Sequence, residues 1–112
     1  MTMDGENKAV TAWVLMTVYR GDDAEALDDA LNSILVNQTR LPNGAIIVID
    51  GPVDDAIEQV LKTHKVTAPC PITILPLEKN GGLSLALNQG LQAIPQEVTY
   101  VIRHDADDLS RP

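Results

Sequence analysis

Several residue types that usually fill or cross-link a protein core are scarce in this chain. Phenylalanine is absent, aromatic residues make up 3% of the 112 positions, and there is 1 cysteine. The core must therefore be aliphatic, and no disulfide can form within the chain. No apolar run reaches the length of a membrane span, and residues 1–10 lack the apolar core of a signal peptide. These absences favour a cytoplasmic protein without an integral membrane segment.

Basic residues are scarce as well. Lys and Arg number 8 against 16 Asp and Glu, which gives a net charge of -8. Nucleic acids and anionic membranes are bound by basic surfaces, so this balance argues against both as partners. The hydrophobic content of 45% is that of a globular domain, and the length allows one compact unit. We expect a loose tail at residues 1–10 and one folded unit at residues 11–112.

Hydrophobic patterning predicts strands that alternate with helices. Four nearly continuous, β-branched runs are typical of strands covered on both faces. These runs are Trp13–Tyr19, Ala45–Ile49, Ile72–Leu75 and Thr99–Ile102. Helical spacing of apolar residues fills each interval, so the order is β-α-β-α-β-α-β. This order predicts an α/β fold with three layers, a mostly parallel four-stranded sheet carrying helices on both faces.

The predicted helices have recognisable ends and faces. Asp22 or Asp23 is the expected N-cap of the first helix, and Asp54 with Asp55 precedes the second. His64, near the end of the second helix, is expected to be exposed. Gly81 and Gly82 open the third helix. The apolar stripe of that helix is Leu83, Leu87, Leu91 and Ile94.

Polar residues follow each predicted strand. In open parallel sheets, ligands bind beyond the carboxyl ends of the strands, so these residues are expected to meet along one edge. The candidate site residues among them are Thr17, Tyr19, Asp50, Asn80, Gly82 and Asp105. Each has a plainer alternative: Tyr19 in core packing, Asp50 in an ordinary Asp-Gly-Pro turn, and Gly82 in a tight connection to the third helix.

Carboxylates crowd together directly after the fourth strand. Asp105, Asp107 and Asp108 fall within four positions and repel one another unless a cation lies between them. Hard carboxylate oxygens suit Mg²⁺ or Mn²⁺, which usually add the oxygens of a bound phosphate. The alternative is a solvated acidic turn or the N-cap of a further helix.

Together these segments resemble the family 2 glycosyltransferases, which have the nucleotide-sugar-binding GT-A fold. The matching segments are Val14–Tyr19, Leu31–Leu35, Ile46–Gly51, Asn80–Gly90 and Asp105–Asp108. The resemblance covers the chain from about Val14 to Pro112. It implies a Rossmann-like half-domain, the N-terminal part that binds the nucleotide.

The resemblance also implies a role for each matching residue. Thr17 and Tyr19 match positions that hold the nucleotide base, and Asp50 matches the carboxylate that recognises uracil. Asp105 and Asp107 match the Asp-x-Asp motif that contacts the ribose or diphosphate and holds Mn²⁺ or Mg²⁺. Asn80 and Gly82 complete the expected nucleotide site.

The chain departs from the family pattern at Thr17, where many members have Pro, at Arg20, where many have Asn, and after the second predicted strand. Many members have Asp-Asp-Gly-Ser where this chain has Ile49-Asp50-Gly51-Pro52. This chain therefore lacks one acid and one hydroxyl of that pattern at these positions. A contact with the nucleotide base is still expected, but the identity of the donor stays open.

The implied activity is transfer of a sugar, with inversion, from a nucleoside diphosphate donor. The expected donor is a UDP-sugar, and the expected acceptor is a saccharide, a lipid-linked molecule or another hydroxyl compound. An Asp or Glu beyond residue 112 is expected to be the general base. The whole enzyme would then be cytoplasmic, or peripheral at the inner face of the membrane.

Two alternatives remain at this point. The 112-residue chain by itself would be a donor-binding module without turnover, and its uncovered apolar surface would favour a homodimer. A Mg²⁺-dependent phosphatase also uses paired aspartates, but its nucleophilic Asp is expected after the first strand. This chain has Thr17-Val18-Tyr19 there.

Overall fold

The computed structural model describes residues 11–35 and 42–105, and these residues form strands and helices in the predicted order. The elements are β1 (Ala12–Val18), α1 (Ala24–Leu35), β2 (Gly44–Ile49), α2 (Asp55–Thr67), β3 (Ile72–Pro76), α3 (Leu83–Ala93) and β4 (Tyr100–Asp105). The predicted tail at residues 1–10 lies outside the described residues. Within the described residues, no helix is long and apolar enough to cross a membrane.

The described strands form one parallel sheet with the order β3-β2-β1-β4. The central strand β1 pairs with β2 from Trp13 opposite Gly44, and with β4 from Ala12 opposite Tyr100. Because every strand runs in the same direction, all four carboxyl ends lie along one edge. The predicted α/β fold with a parallel sheet is confirmed.

One face of the sheet is covered by α1 and α2. Alternate residues of β1 and β2, such as Met16 and Ile47, pack against Leu27 and Leu31 of α1 and Leu61 of α2. Each of these side chains is at most 2% exposed. Aliphatic side chains therefore form this layer of the core without any phenylalanine.

The caps of α1 and α2 agree with the sequence. Asp23 caps α1, because its carboxylate accepts a hydrogen bond from the Ala26 N–H at 2.9 Å. Asp54 caps α2 by accepting a hydrogen bond from the Ile57 N–H at 2.9 Å. These bonds satisfy amides that the first turn of a helix otherwise leaves without acceptors.

His64 differs from the prediction. It is 5% exposed rather than solvent-facing, and its Nε2 lies 2.7 Å from the Asp28 Oδ1 of α1. His64 follows Ile57 and Leu61 at helical spacing, so it lies on the buried stripe of α2. That spacing is a signal in the sequence from which its burial could have been predicted.

The opposite face of the sheet is covered by α3, and the predicted stripe of this helix is half right, since Leu87 and Ile94 pack against the sheet but Leu83 and Leu91 do not. Leu83 and Leu91 are 48% and 49% exposed, whereas the buried positions are Ala86, Gly90 and the C-cap residue Ile94. A Cβ atom added to Gly90 would lie 2.3 Å from the Leu15 Cδ1. Because α3 lies so close to the sheet at Gly90, small residues share its inward face with Leu87 and Ile94.

The edge strand β4 also departs from expectation. Its apolar sequence predicted a strand covered on both faces, but Tyr100, Val101 and Ile102 are 60%, 42% and 45% exposed. Continuous hydrophobicity in β1 and β2 does correspond to burial. The same pattern in β4 instead marks an apolar surface at the edge of the sheet.

Candidate functional site

The carboxyl ends of three neighbouring strands lie side by side. Thr17, near the end of β1, is paired in register with Val48 of β2 on one side and Asp105 of β4 on the other. Adjacent strands are separated by about 4.8 Å, so these ends occupy one short segment of the sheet edge. Asp50 follows β2 directly at the same edge. The topology therefore brings the predicted residues of β1, β2 and β4 together.

Tyr19 begins the turn that follows β1. Its N–H donates to the Asp22 carboxylate at 2.9 Å, and its carbonyl accepts from the Asp22 N–H at 3.0 Å. Its ring lies over Gly21, where an added Cβ would be 2.5 Å from the Tyr19 Cζ. The ring is 47% exposed, and a half-exposed aromatic surface at a strand end is suited to stacking against a flat ligand.

Asp50 is the most extensively bonded residue of the candidate site. It is 6% exposed, and its own N–H donates to the Val18 carbonyl of β1 at 2.7 Å. Its Oδ1 accepts from the Gly81 N–H at 2.8 Å, and its Oδ2 accepts from the Gly82 N–H at 3.1 Å. Both carboxylate oxygens therefore bond to the backbone that begins α3.

The turns after β2 and before α3 approach each other closely. Gly51 has φ of +88°, and an added Cβ there would lie 2.7 Å from the Asn80 nitrogen. The Asn80 side chain donates from Nδ2 to the Asp50 carbonyl at 3.1 Å. Only glycine combines this left-handed backbone with so close a contact. Asp50 and Gly51 are buried, whereas Asn80 and Gly82 are exposed above them.

The predicted metal site falls largely outside the described residues. Asp105 is the last residue of β4, and its backbone is placed beside Thr17. Asp107 and Asp108 lie outside the described residues. In the part of the chain that the structure describes, no three His, Cys, Asp or Glu side chains form a group that could hold a metal ion. Carboxylates are the ligands that suit a hard cation, so the residue types of the predicted site fit Mg²⁺ or Mn²⁺.

Sequence reasoning identified the strand ends but missed how the turns are bonded. Asp22 and Gly21 shape the turn that presents Tyr19, and the Gly81 amide binds Asp50. The spacing of Asp22 from Tyr19 is a signal for a side-chain turn that could have been recognised. No local signal links Asp50 to Gly81, because the two residues are 31 positions apart.

Comparison with known proteins decides the family. The model of "Glycosyl transferase family 2" matches residues 13–112. This chain belongs to the family 2 glycosyltransferases. The match includes all six residues predicted at the strand ends, together with the acidic segment after β4. Membership in this family leaves the phosphatase alternative without support.

Curated relatives agree with this assignment. The amylovoran biosynthesis glycosyltransferase AmsE of Erwinia amylovora is 37% identical over 99 residues, covering 88% of this chain and 35% of that protein. The Escherichia coli UDP-Gal:alpha-D-GlcNAc-diphosphoundecaprenol beta-1,3-galactosyltransferase is 39% identical over 98 residues, covering 88% and 34%. The chain thus spans about a third of the length of these relatives.

Solved structures support the fold. The crystal structure of Staphylococcus aureus TarS superimposes with a TM-score of 0.71 and 21% sequence identity, covering 89% of this chain and 17% of TarS. A shorter TarS structure, residues 1–349, gives the same TM-score at 23% identity, covering 89% of this chain and 28% of that one. The GT-A fold that the sequence predicted is therefore confirmed.

Proposed function

We propose that the protein carrying this chain transfers a sugar from a nucleoside diphosphate donor, a UDP-sugar, to a hydroxyl acceptor with inversion. The observation that carries the proposal is the meeting of the β1, β2 and β4 ends at one edge. In this arrangement Thr17 and Tyr19 border the base, and Asn80 and Gly82 border the nucleotide from the turn before α3. Asp50 lies beneath that turn.

A divalent cation fits the chemistry of the acidic segment. Asp105 and Asp107 would hold Mn²⁺ or Mg²⁺, which would stabilise negative charge on the departing nucleoside diphosphate. A general base beyond residue 112 would take the proton of the attacking hydroxyl. The role of this chain is then to bind and orient the donor.

The acceptor is proposed from the E. coli relative, whose name specifies a UDP-Gal donor and a diphosphoundecaprenol-linked acceptor. A lipid-linked saccharide would place the reaction at the cytoplasmic face of a membrane. The 112-residue chain spans about a third of its relatives, which supports the second candidate, a donor-binding module without turnover by itself. The apolar surface of β4 supports a homodimer of the isolated chain.

Isothermal titration calorimetry with UDP tests the nucleotide and the metal together. We expect binding in the presence of Mn²⁺ that weakens by roughly tenfold or more when Asp107 is replaced, as in Asp107→Ala, because a ligand of the cation is lost. Binding should also weaken when EDTA removes the cation. The control is Asp29→Ala, which removes an exposed carboxylate from α1. Equal, metal-independent binding by all variants would contradict the proposal.

A transfer assay separates the enzyme from the binding module. A protein of the relatives' length is expected to release UDP from UDP-galactose when a lipid-linked acceptor is present. The 112-residue chain is expected to bind UDP-galactose without releasing UDP. Turnover by the chain alone would contradict the proposal that it is only a donor-binding module.

A further inference from the structure

We infer that Arg20 binds the diphosphate of the nucleotide donor. The inference rests on the proposed function and adds one residue to its site. Arg20 lies in the turn that follows β1, at a position where many members of the family have Asn. Since asparagine carries no charge, this contact distinguishes the chain from those members.

The turn after β1 holds Arg20 at its tip. The Asp22 N–H donates to the Tyr19 carbonyl at 3.0 Å, so a β-turn begins at Tyr19 and ends at Asp22. The Asp22 carboxylate closes the turn a second time by accepting from the Tyr19 N–H at 2.9 Å. Arg20 occupies the first corner of this turn and is exposed. Its backbone is therefore fixed at the edge of the sheet while its side chain is open to a ligand.

Arg20 has no counter-charge among the described residues. The sequence contains 16 Asp and Glu against 8 Lys and Arg, yet the Arg20 guanidinium makes no ion pair or hydrogen bond within the described part of the chain. The acids nearest to it in sequence, Asp22 and Asp23, each accept a hydrogen bond from a backbone amide at 2.9 Å. A guanidinium with its donors available suits a phosphate, which it can bind through two parallel N–H···O bonds.

The strand order places Arg20 beside the path of the diphosphate. The base is expected beside Tyr19 and Asp50, which follow β1 and β2, and the cation beside Asp105 at the end of β4. Because β1 lies between β2 and β4, the ends of these two strands are separated by two strand spacings, about 10 Å, with the end of β1 between them. The diphosphate joins the nucleoside to the cation, so it passes the turn that carries Arg20.

The other basic residues of the described chain are less well placed. Lys79 follows β3, which β2 and β1 separate from β4. Arg103 lies within β4 and already has an interaction partner. Lys62 and Lys65 belong to α2, which begins at the edge that carries the site and runs back towards the opposite edge. Arg20 is thus the basic residue whose position and available charge both fit the diphosphate.

Three variants separate a phosphate contact from a general effect of charge. Arg20→Gln removes the guanidinium and keeps a polar side chain, whereas Arg20→Lys keeps the charge and loses the paired donors. Lys65→Gln is the matched control, because it removes the same charge from an exposed position in the last turn of α2. Both positions are exposed, so none of these replacements leaves a cavity in the core.

The first measurement compares the affinities of UDP and uridine in the presence of Mg²⁺, from amide chemical shifts in NMR titrations. We expect Arg20→Gln to weaken UDP about tenfold and to leave uridine within about twofold of wild type, because uridine lacks the diphosphate. Arg20→Lys should lose less, and Lys65→Gln should lose nothing measurable. Unchanged UDP affinity in Arg20→Gln would overturn the inference. Equal losses for UDP and uridine would also overturn it, since Arg20 would then act on the base or on the turn.

The second measurement follows the guanidinium itself and does not depend on the nucleoside. The Nε–H resonance of Arg20, assigned by its loss in Arg20→Gln, is expected to shift with UDP and with inorganic pyrophosphate but not with uridine. A resonance that responds to neither UDP nor pyrophosphate would overturn the inference, whatever else the chain binds. If pyrophosphate shifts the resonance but uridine does not bind and UDP binds no more tightly than pyrophosphate, the proposed function fails while the contact of Arg20 with a diphosphate stands.

Discussion

The two faces of the sheet are built in different ways. On the face covered by α1 and α2, contact is made by large aliphatic side chains such as Leu27 and Leu31, which are 0% and 1% exposed. On the other face, α3 approaches through Ala86 and Gly90, while three of its leucines, Leu83, Leu85 and Leu91, stay about half exposed. Side-chain volume stabilises the first face, and close backbone approach stabilises the second. The candidate site borders the second face, where the Asp50 carboxylate meets the start of α3.

The largest difference between the faces should appear when one leucine is truncated on each. Leu31→Ala leaves a cavity in the layer between α1 and the sheet and is expected to lower the free energy of unfolding by about 2–5 kcal/mol. Leu91→Ala, at a position 49% exposed, should lower it by less than about 1 kcal/mol. Urea unfolding followed by circular dichroism measures both. Similar losses would show that the two faces do not differ.

A smaller effect is expected when volume is added to the close-packed face. Gly90→Ala introduces a Cβ within 2.3 Å of Leu15 Cδ1 and 2.9 Å of Val48 Cγ2, and both neighbours are buried. Overpacking should destabilise the chain by about 1–3 kcal/mol, which outweighs the helix preference of alanine. The exposed control Gln92→Ala should be neutral or slightly stabilising. A stabilised Gly90→Ala variant would show that α3 does not lie this close to the sheet.

The smallest expected effect is on the reaction rate of the Cys70 thiol, which lies beside the face covered by α1 and α2. Cys70 packs against that cluster, and burial raises the pKa of its thiol above the ordinary value. A raised pKa means less thiolate at neutral and mildly alkaline pH, so iodoacetamide should react more slowly with the folded chain than with the urea-unfolded chain. The difference should disappear as the pH rises through the folded pKa, where both states are thiolate. Equal rates at pH 8 would contradict the burial.

Much of the fold was predictable because it is encoded locally. The caps Asp23 and Asp54 lie three residues before the amides that they accept from, and the apolar runs of β1 and β2 report their burial directly. The position of the candidate edge followed from the alternation of strands and helices alone. The sequence alone therefore assigns residues such as Thr17 and Tyr19 to one edge.

The features of the fold and of the site that could not be predicted depend on contacts between segments distant in the sequence. The leucine spacing of α3 predicts a stripe, but the distance between helix and sheet, set at Gly90, decides which side faces inward. The apolar run of β4 does not reveal that β4 is an edge strand, since strand order is a property of the whole sheet. The bonds of Asp50 to Gly81 and Gly82 likewise join segments that no short motif connects.

The position of β1 in the centre of the sheet has a consequence for how the chain folds. β1 meets β2 across about thirty residues, as in the contact from Ala12 to Asn43, but it meets β4 only across the separation of 88 residues between Thr11 and Thr99. Closing the longer loop costs more chain entropy and requires nearly the whole described chain to have been synthesised. We therefore expect a nascent β1-α1-β2 unit to form first on the ribosome. In that unit, the edge of β1 that later pairs with β4 is still unpaired.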